Sequence, residues 1–143
     1  MKLGDISDLA VSGLIAQRAR MGATASNLAN AETTRTPEGG PYRRRDPVFG
    51  TTPSGGPFAD ALTRSFHRVS LRGVAFDPRP PTLRYDPSHP DADASGNLAL
   101  PNVNVVEEVT NLLSASRSFE ANLAVLRKVR EMAQATLGIG RVG

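Results

Sequence analysis

The stretch Val105–Leu137, VVEEVTNLLSASRSFEANLAVLRKVREMAQATL, decides the fold. Val105, Leu112, Phe119, Leu126 and Ala133 lie seven residues apart, and all are apolar. The interleaved series Val109, Ser116, Leu123, Arg130 and Leu137 is apolar at three of its five positions. Spacings that alternate between four and three form the seam of a helix that packs lengthwise on another, as in a coiled coil. Such a helix would be about 50 Å long at 1.5 Å per residue. Gly138 and Gly140 supply its stop.

A helix of that length needs a partner, and proline shows where one exists. All 11 prolines fall between Pro37 and Pro101, so residues 1–36 and 102–143 are both free to be helical. The N-terminal segment reads as a helix over about Ile6–Ala29. Leu14, Met21 and Leu28 recur every seven residues, Leu3 and Ala10 extend the seam, and Gln17 and Thr24 interrupt it. A second stripe is small: Ala16, Ala19, Gly22, Ala23 and Ala25. Gly22 costs roughly 1 kcal/mol against alanine inside a helix, which close approach by a neighbouring helix would offset. Two paired helices bury one stripe each and are marginal alone. The remaining stripes call for further helices, most economically from copies of the same chain.

Between the helices, residues 37–57 (PEGGPYRRRDPVFGTTPSGGP) read as linker. Phe58–Phe66 is a candidate short helix. Residues 69–76 (VSLRGVAF) and 82–85 (TLRY) are strand-like, and Gly96-Asn97 can turn into a third short extended stretch, Leu98–Leu100. The expected fold is mainly α with a small β insertion, its N- and C-terminal helices paired as a coiled-coil stem around an irregular, hairpin-bearing middle. The boundaries are 1–36 (rod-like helix and following loop), 37–68 (Pro/Gly-rich variable linker), 69–101 (small β-rich segment) and 102–143 (C-terminal helix).

Composition narrows the chemistry. The chain has 143 residues, 39% hydrophobic but only 5% aromatic and without tryptophan, so its core is thin and aliphatic. No cysteine is present, which removes disulfides, thiolate metal sites and cysteine nucleophiles. Seventeen basic residues against 14 acidic ones give +3, a small excess for a nucleic-acid binder. No membrane-length apolar run and no Sec-type signal peptide are read. No phosphate loop, nucleophile elbow or zinc-helix motif occurs, and no catalytic residue, metal or cofactor is expected. Asp86, His89, Asp91 and Asp93 cluster, but the intervening prolines suit a rigid surface turn better than a calcium loop. Arg43, Arg44 and Arg45 form the densest basic run, and a protein partner suits so small a footprint better than a phosphate backbone. Asn27 and Asn30, near the first helix's end, either cap its carbonyls or set helix register at an interface.

The run Ser26-Asn27-Leu28-Ala29-Asn30-Ala31-Glu32-Thr33-Thr34-Arg35-Thr36-Pro37 closely resembles the signature of flagellar rod and hook proteins. Gly39–Arg44, the stretch Tyr85–Asp93, Pro101–Glu108 and Ser114–Asn122 are similar to the proximal-rod FlgC family, in the same order along nearly the whole chain. Phe119 stands where that family often has tyrosine, and residues 48–66 carry nothing over. The resemblance implies a structural subunit of the basal-body proximal rod, which spans the periplasm and transmits torque. It implies export through the flagellar type III apparatus without a cleavable signal. The implied partners are copies of itself, other proximal-rod proteins and the rod-base adaptor, with no nucleic acid and no membrane insertion. It also makes Leu14, Met21, Asn27, Leu28, Asn30, Val105, Val109, Leu112, Phe119, Leu123 and Leu126 the candidate assembly interface, and Arg43, Arg44 and Arg45 candidate intersubunit contacts. Two other readings compete: a different axial subunit of the rod and hook family, and a basic coiled-coil adaptor for nucleic acid.

Overall fold

The computed structural model describes residues 3–53 and 67–139. The candidate helix at Phe58–Phe66 lies outside the described residues. Helix α1 runs Leu3–Ala29, strand β1 Arg45–Pro53, β2 His67–Phe76, β3 Thr82–Tyr85, β4 Asn97–Leu100 and helix α2 Val105–Ile139. Helices of 27 and 35 residues against strands of 9, 10, 4 and 4 residues make the chain mainly α with a small β component. The strands form two separate two-stranded sheets, β1–β2 and β3–β4. No described helix is long and apolar enough to cross a membrane.

Both helix ends near the middle of the chain are held by asparagine. The Asn104 side chain accepts from Val106 N at 3.0 Å and Glu107 N at 3.3 Å, and its carbonyl accepts from Glu108 N. That is an N-cap, and Glu107 and Glu108 in the first turn complement the positive end of the helix dipole. At the end of α1, Asn30 Nδ2 donates to Ser26 O at 2.9 Å, a second donor on a carbonyl that already accepts from Asn30 N at 3.1 Å. The chain then reverses at Gly39 and Gly40, with φ of 90° and 72°, conformations that favour glycine. The reversal lets Tyr42 N donate back to Thr33 O, returning the tyrosine to the last turn of α1.

The chain divides into two compact units: Met1–Ala19 with Phe49–Arg72 and Ser114–Gly143, and Arg20–Val48 with Gly73–Leu113. In the first unit the two helices meet through small residues. Ala10, Ala16, Ala115 and Val129 are buried. A Cβ on Gly13 would fall 2.9 Å from Asn122 Nδ2, so glycine admits the close approach there. No atom lies within 4 Å of where a Gly22 Cβ would stand, so the approach expected at Gly22 occurs at Gly13 instead. Ser12 Oγ accepts from Val69 N at 3.2 Å and Asp8 pairs with Arg68 at 2.9 Å, tying β2 to α1. In the same unit Thr52 donates to Arg68 O and Ser70 to Gly50 O, so β1 and β2 run in opposite directions.

Strand β1 occupies part of the stretch that reads as linker. Val48, Phe49, Thr51 and Thr52 have strand propensity. In a two-stranded sheet both strands are edges, where the missing N–H of Pro47 is tolerated. The flanking glycines and prolines hide this in the sequence.

In the second unit, β3 and β4 pair antiparallel with Thr82 opposite Leu100 and Tyr85 opposite Asn97, and Leu98 is buried. Gly96 turns at φ 79°, and a Cβ there would fall 2.8 Å from Tyr85 Cε2 and 3.1 Å from Pro87 Cβ. Gly96→Ala is therefore expected to cost about 2 kcal/mol, from left-handed backbone and crowding together. Loss of the cross-strand contact between Tyr85 and Asn97 in NMR spectra, with α-helix content kept, checks it.

Candidate assembly site

The last turn of α1 carries a buried polar node in the second unit. Asn27 is 1% exposed. Its Nδ2 donates to Arg45 O and to Glu108 Oε2, each at 3.0 Å. Its Oδ1 accepts from Arg45 N at 2.9 Å and from Tyr42 Oη at 3.0 Å. Both donors and both acceptor sites of the amide are used. Toward Arg45 the side chain behaves as a strand does, engaging N–H and C=O of one residue. Asn27 thus caps nothing in its own helix, and none of its hydrogen-bonding capacity is left for another chain. Asn30 is the capping residue of the pair.

Glu108, also 1% exposed, closes the node from the first turn of α2. Its Oε1 receives Arg44 Nε and Arg44 Nη2, both at 2.7 Å. Arg44 also pairs with Asp46, and its side chain is 11% exposed. Burial acts against the charged guanidinium, but the Glu108 carboxylate offsets it and holds the Arg44 pKa above its ordinary value. Arg20 Nη2 donates to Asn111 Oδ1 at 3.3 Å. With Asn27 meeting Glu108, this shows α1 and α2 running in opposite directions in this unit.

The residues that α2 turns toward α1 are one position out of phase with part of the expected seam. Glu108, Ala115 and Val129 are buried, whereas Val105 and Val109 are exposed. Leu112, Phe119, Leu123 and Leu126 are half-buried, as are Leu14, Met21, Leu28 and Asn30 on α1. The reason is steric and polar: small and hydrogen-bonding residues let the two backbones approach, while Val105 and Val109 of the expected seam turn outward. In the second unit Val105, Val106, Val109 and Leu113 form an outward row, Val106 being 75% exposed. In the first unit Val11 and Ile15 on α1 and Val125 and Met132 on α2 are exposed. Gly4, Ser7, Leu126, Val129, Arg130 and Ala133 line a largely apolar groove of about 480 Å³ there. Gln17 Oε1 is a buried side-chain oxygen without a hydrogen-bond partner among the described residues.

The acidic cluster is a turn held by its own carboxylates. Asp93 accepts from Ser95 N and Asn97 N, Asp86 accepts from Ser88 Oγ, and His89 Nδ1 accepts from Asp91 N. Asp91 accepts from Thr34 Oγ1 at 2.8 Å and faces Arg35 at 3.8 Å, fastening the turn to the segment after α1. Among the described residues no three potential ligands gather as a metal site would require. Nearby, Asp77 accepts from the Arg79 side chain and from Arg79 N at 2.9 Å, which lowers its pKa from 3.8 to about 2. A lowered carboxylate pKa stabilises the fold above the ordinary range, and that contribution fades as pH falls toward 2. Arg79→Gln is expected to return the Asp77 titration, followed by carboxyl NMR shifts, toward its ordinary value.

Glu108, Tyr42 and Phe76 are absent from the candidate site residues. Glu108 lies seven residues before Ala115 and so shares its face, a phase hidden by the apolar series one position on. Tyr42 follows the Gly-Gly-Pro reversal that returns it to α1.

Two family models match. One, described as flagella basal body rod protein, covers residues 8–35, and one described as the C-terminal part of the flagellar basal body rod FlgEFG proteins covers residues 94–139. The flagellar basal-body rod protein FlgC of Salmonella typhimurium is 40% identical over 141 residues, 99% of this chain and 100% of the relative. The chain belongs to the FlgC family. The FlgC protein of Borreliella burgdorferi is 40% identical over 92% of this chain and 93% of its own length. That of Bacillus subtilis is 34% identical over 94% and 95%. The family models thus cover α1 from residue 8 onward and all of α2, and the FlgC-family likeness runs through the polar node as well.

Proposed function

We propose that this FlgC-family chain is a structural subunit of the proximal rod of the flagellar basal body, polymerising through its terminal helices into the shaft that carries torque across the periplasm. The observation that carries this reading is the 40% identity to a basal-body rod protein over 99% of the chain. The geometry supports it, because the polar node occupies the inward side of the last turn of α1 and the first turn of α2, while apolar side chains stay exposed on both helices. Exposed apolar faces of this kind are interaction surfaces.

In the assembled rod, α1 contributes Leu14, Met21 and Leu28, while Asn27 and Asn30 hold the end of that helix in shape. Helix α2 contributes Val105, Val109, Leu112, Phe119, Leu123 and Leu126. The helices there join coiled-coil packing with those of neighbours. Residues 1–36 and 102–143 make the axial contacts, 69–101 faces outward or bridges to an adjacent subunit, and 37–68 connects them. The partners are copies of this chain, the other proximal-rod proteins and the rod-base adaptor, and the chain reaches them through the flagellar type III export apparatus. Its work is mechanical rather than catalytic.

Deletion of the gene is expected to abolish the rod while leaving the export gate in place, as seen in isolated basal bodies. Val106→Asp is expected to leave the monomer folded yet block rod formation, because that side chain touches little within its own chain. Rods of normal length in the deletion strain would refute the assignment.

A further inference from the structure

Arg43, Arg44 and Arg45 are consecutive, yet they divide between two faces. Side chains alternate along extended chain, and Arg44 turns inward to Glu108 while its two neighbours do not. The end of β2 lies alongside, with Asp77 N donating to Arg44 O at 2.9 Å. Phe76 joins the two outer arginines there. Its ring centre lies 5.5 Å from Arg43 Cζ and 5.6 Å from Arg45 Cζ, and Arg45 Cζ is also 5.5 Å from the Tyr42 ring. Phe76 remains 51% exposed.

Two cations gathered on one ring repel each other, and an exposed cation–π contact returns only about 0.5–1 kcal/mol. Neither guanidinium takes part in an ion pair among the described residues. Arg43 Nη2 donates to the Asp77 carbonyl at 3.4 Å. Glu38 lines the same cavity of about 250 Å³, with Thr36, Gly39 and Pro41, and is ion-paired to neither arginine. The result is a concave site in which two guanidiniums without an ion pair among the described residues share an aromatic ring. Arginine forks match a carboxylate in geometry as well as in charge, and the aromatic floor suits an aliphatic neighbour in the same ligand.

From this juxtaposition we infer that the Arg43–Phe76–Arg45 cavity receives a carboxylate-bearing segment of an adjacent protein subunit, with the carboxylate between the two guanidiniums and an apolar side chain of that segment against Phe76. The inference rests on the rod-subunit reading for the source of the segment, but not for the chemistry of the receptor. A nucleic-acid strand fits less well, since two arginines neutralise only about two phosphates.

The test uses the full chain and a blocked tetrapeptide carrying two adjacent glutamates and a leucine, followed by NMR at low salt. The expected result is saturable shifts of the Arg43, Arg45 and Phe76 signals, absent with the glutamine version of the peptide. Arg43→Gln/Arg45→Gln should weaken binding at least tenfold and Phe76→Ala several-fold, with Arg84→Gln unchanged. Should the double glutamine variant lose its fold by circular dichroism, Arg43→Lys/Arg45→Lys keeps the charges but not the forks, and should weaken binding several-fold. Equal binding of the glutamine peptide, unchanged binding by the folded variants, or tighter binding of a short oligodeoxythymidylate would each overturn the inference. Intact rods after gene deletion would sink the rod assignment alone, whereas a peptide that ignores Arg43 and Arg45 would sink this inference alone.

Discussion

Asn27→Ala is expected to destabilise the second unit by about 3–5 kcal/mol, since it strands several buried partners at once. The amide engages Arg45 N, Arg45 O, Tyr42 Oη and Glu108 Oε2. Methyl replacement removes all four bonds and leaves a small polar cavity. Water entering that cavity would recover part of the loss, which places the estimate below a sum of four full penalties. Urea unfolding followed by circular dichroism measures the total. Hydrogen exchange at the Arg45 amide locates it, because that N–H donates to Asn27 Oδ1. Asn27→Asp is no rescue: it keeps the acceptors but sets a second negative charge beside Glu108. Asn30→Ala is the contrasting case and should cost under about 1 kcal/mol, because its bond to Ser26 O supplements a helix end near solvent. Equal costs at the two asparagines would refute the distinction drawn between them.

Glu108→Ala is expected to cost about 3–5 kcal/mol, the scale of breaking one side of a buried ion pair. It deprives the largely buried Arg44 guanidinium of the oxygen that receives both Nε and Nη2. It also leaves one Asn27 donor without its acceptor. Asp46 retains a hold on Arg44 and keeps the loss toward the lower bound. Removing the opposing charge as well should recover much of it. Arg44→Met combined with Glu108→Leu is expected to be clearly more stable than the Glu108→Ala chain, because replacing both members with apolar groups removes the desolvation cost along with the attraction. A double-mutant cycle on Arg44 and Glu108 measures their coupling, and a value near zero would show that the pair contributes only shape.

The helices were the most legible part of the sequence. A seven-residue apolar repeat and a proline-free segment are local signals, and the observed helices follow them, α1 beginning at Leu3 rather than Ile6 and α2 running on through Gly138 to Ile139. The face each helix turns inward was less legible. The repeat Val105, Leu112, Phe119 marks where α2 is apolar, but intramolecular packing selects Glu108 and Ala115, which are polar or small. Hydrophobicity alone does not distinguish a surface reserved for a neighbour from one that closes on the same chain. Strand β1 was hidden because its pairing depends on β2 and on the Asn27 amide, neither of which its own stretch of glycines and prolines announces. The arginine run was visible, but its division into one buried ion pair and two outward cations required the register of the strand. The β3 boundaries were readable because Asp-Pro pairs flank that strand on both sides.

The polar node also implies an order of folding. Asn27, Tyr42 and Arg45 lie within 18 residues of one another, whereas Glu108 is 81 residues from Asn27. Closing the longer loop carries the larger entropic cost, and contacts of large sequence separation slow folding. The reversal at Gly39 and Gly40 can therefore seat Tyr42 and Arg45 on α1 while the rest of the chain is still unstructured. Glu108 then arrives last, carried on the first turn of α2. Arg44 waits at a prepared place for its counter-charge, so closure of the node marks the moment at which both ends of the chain have found each other.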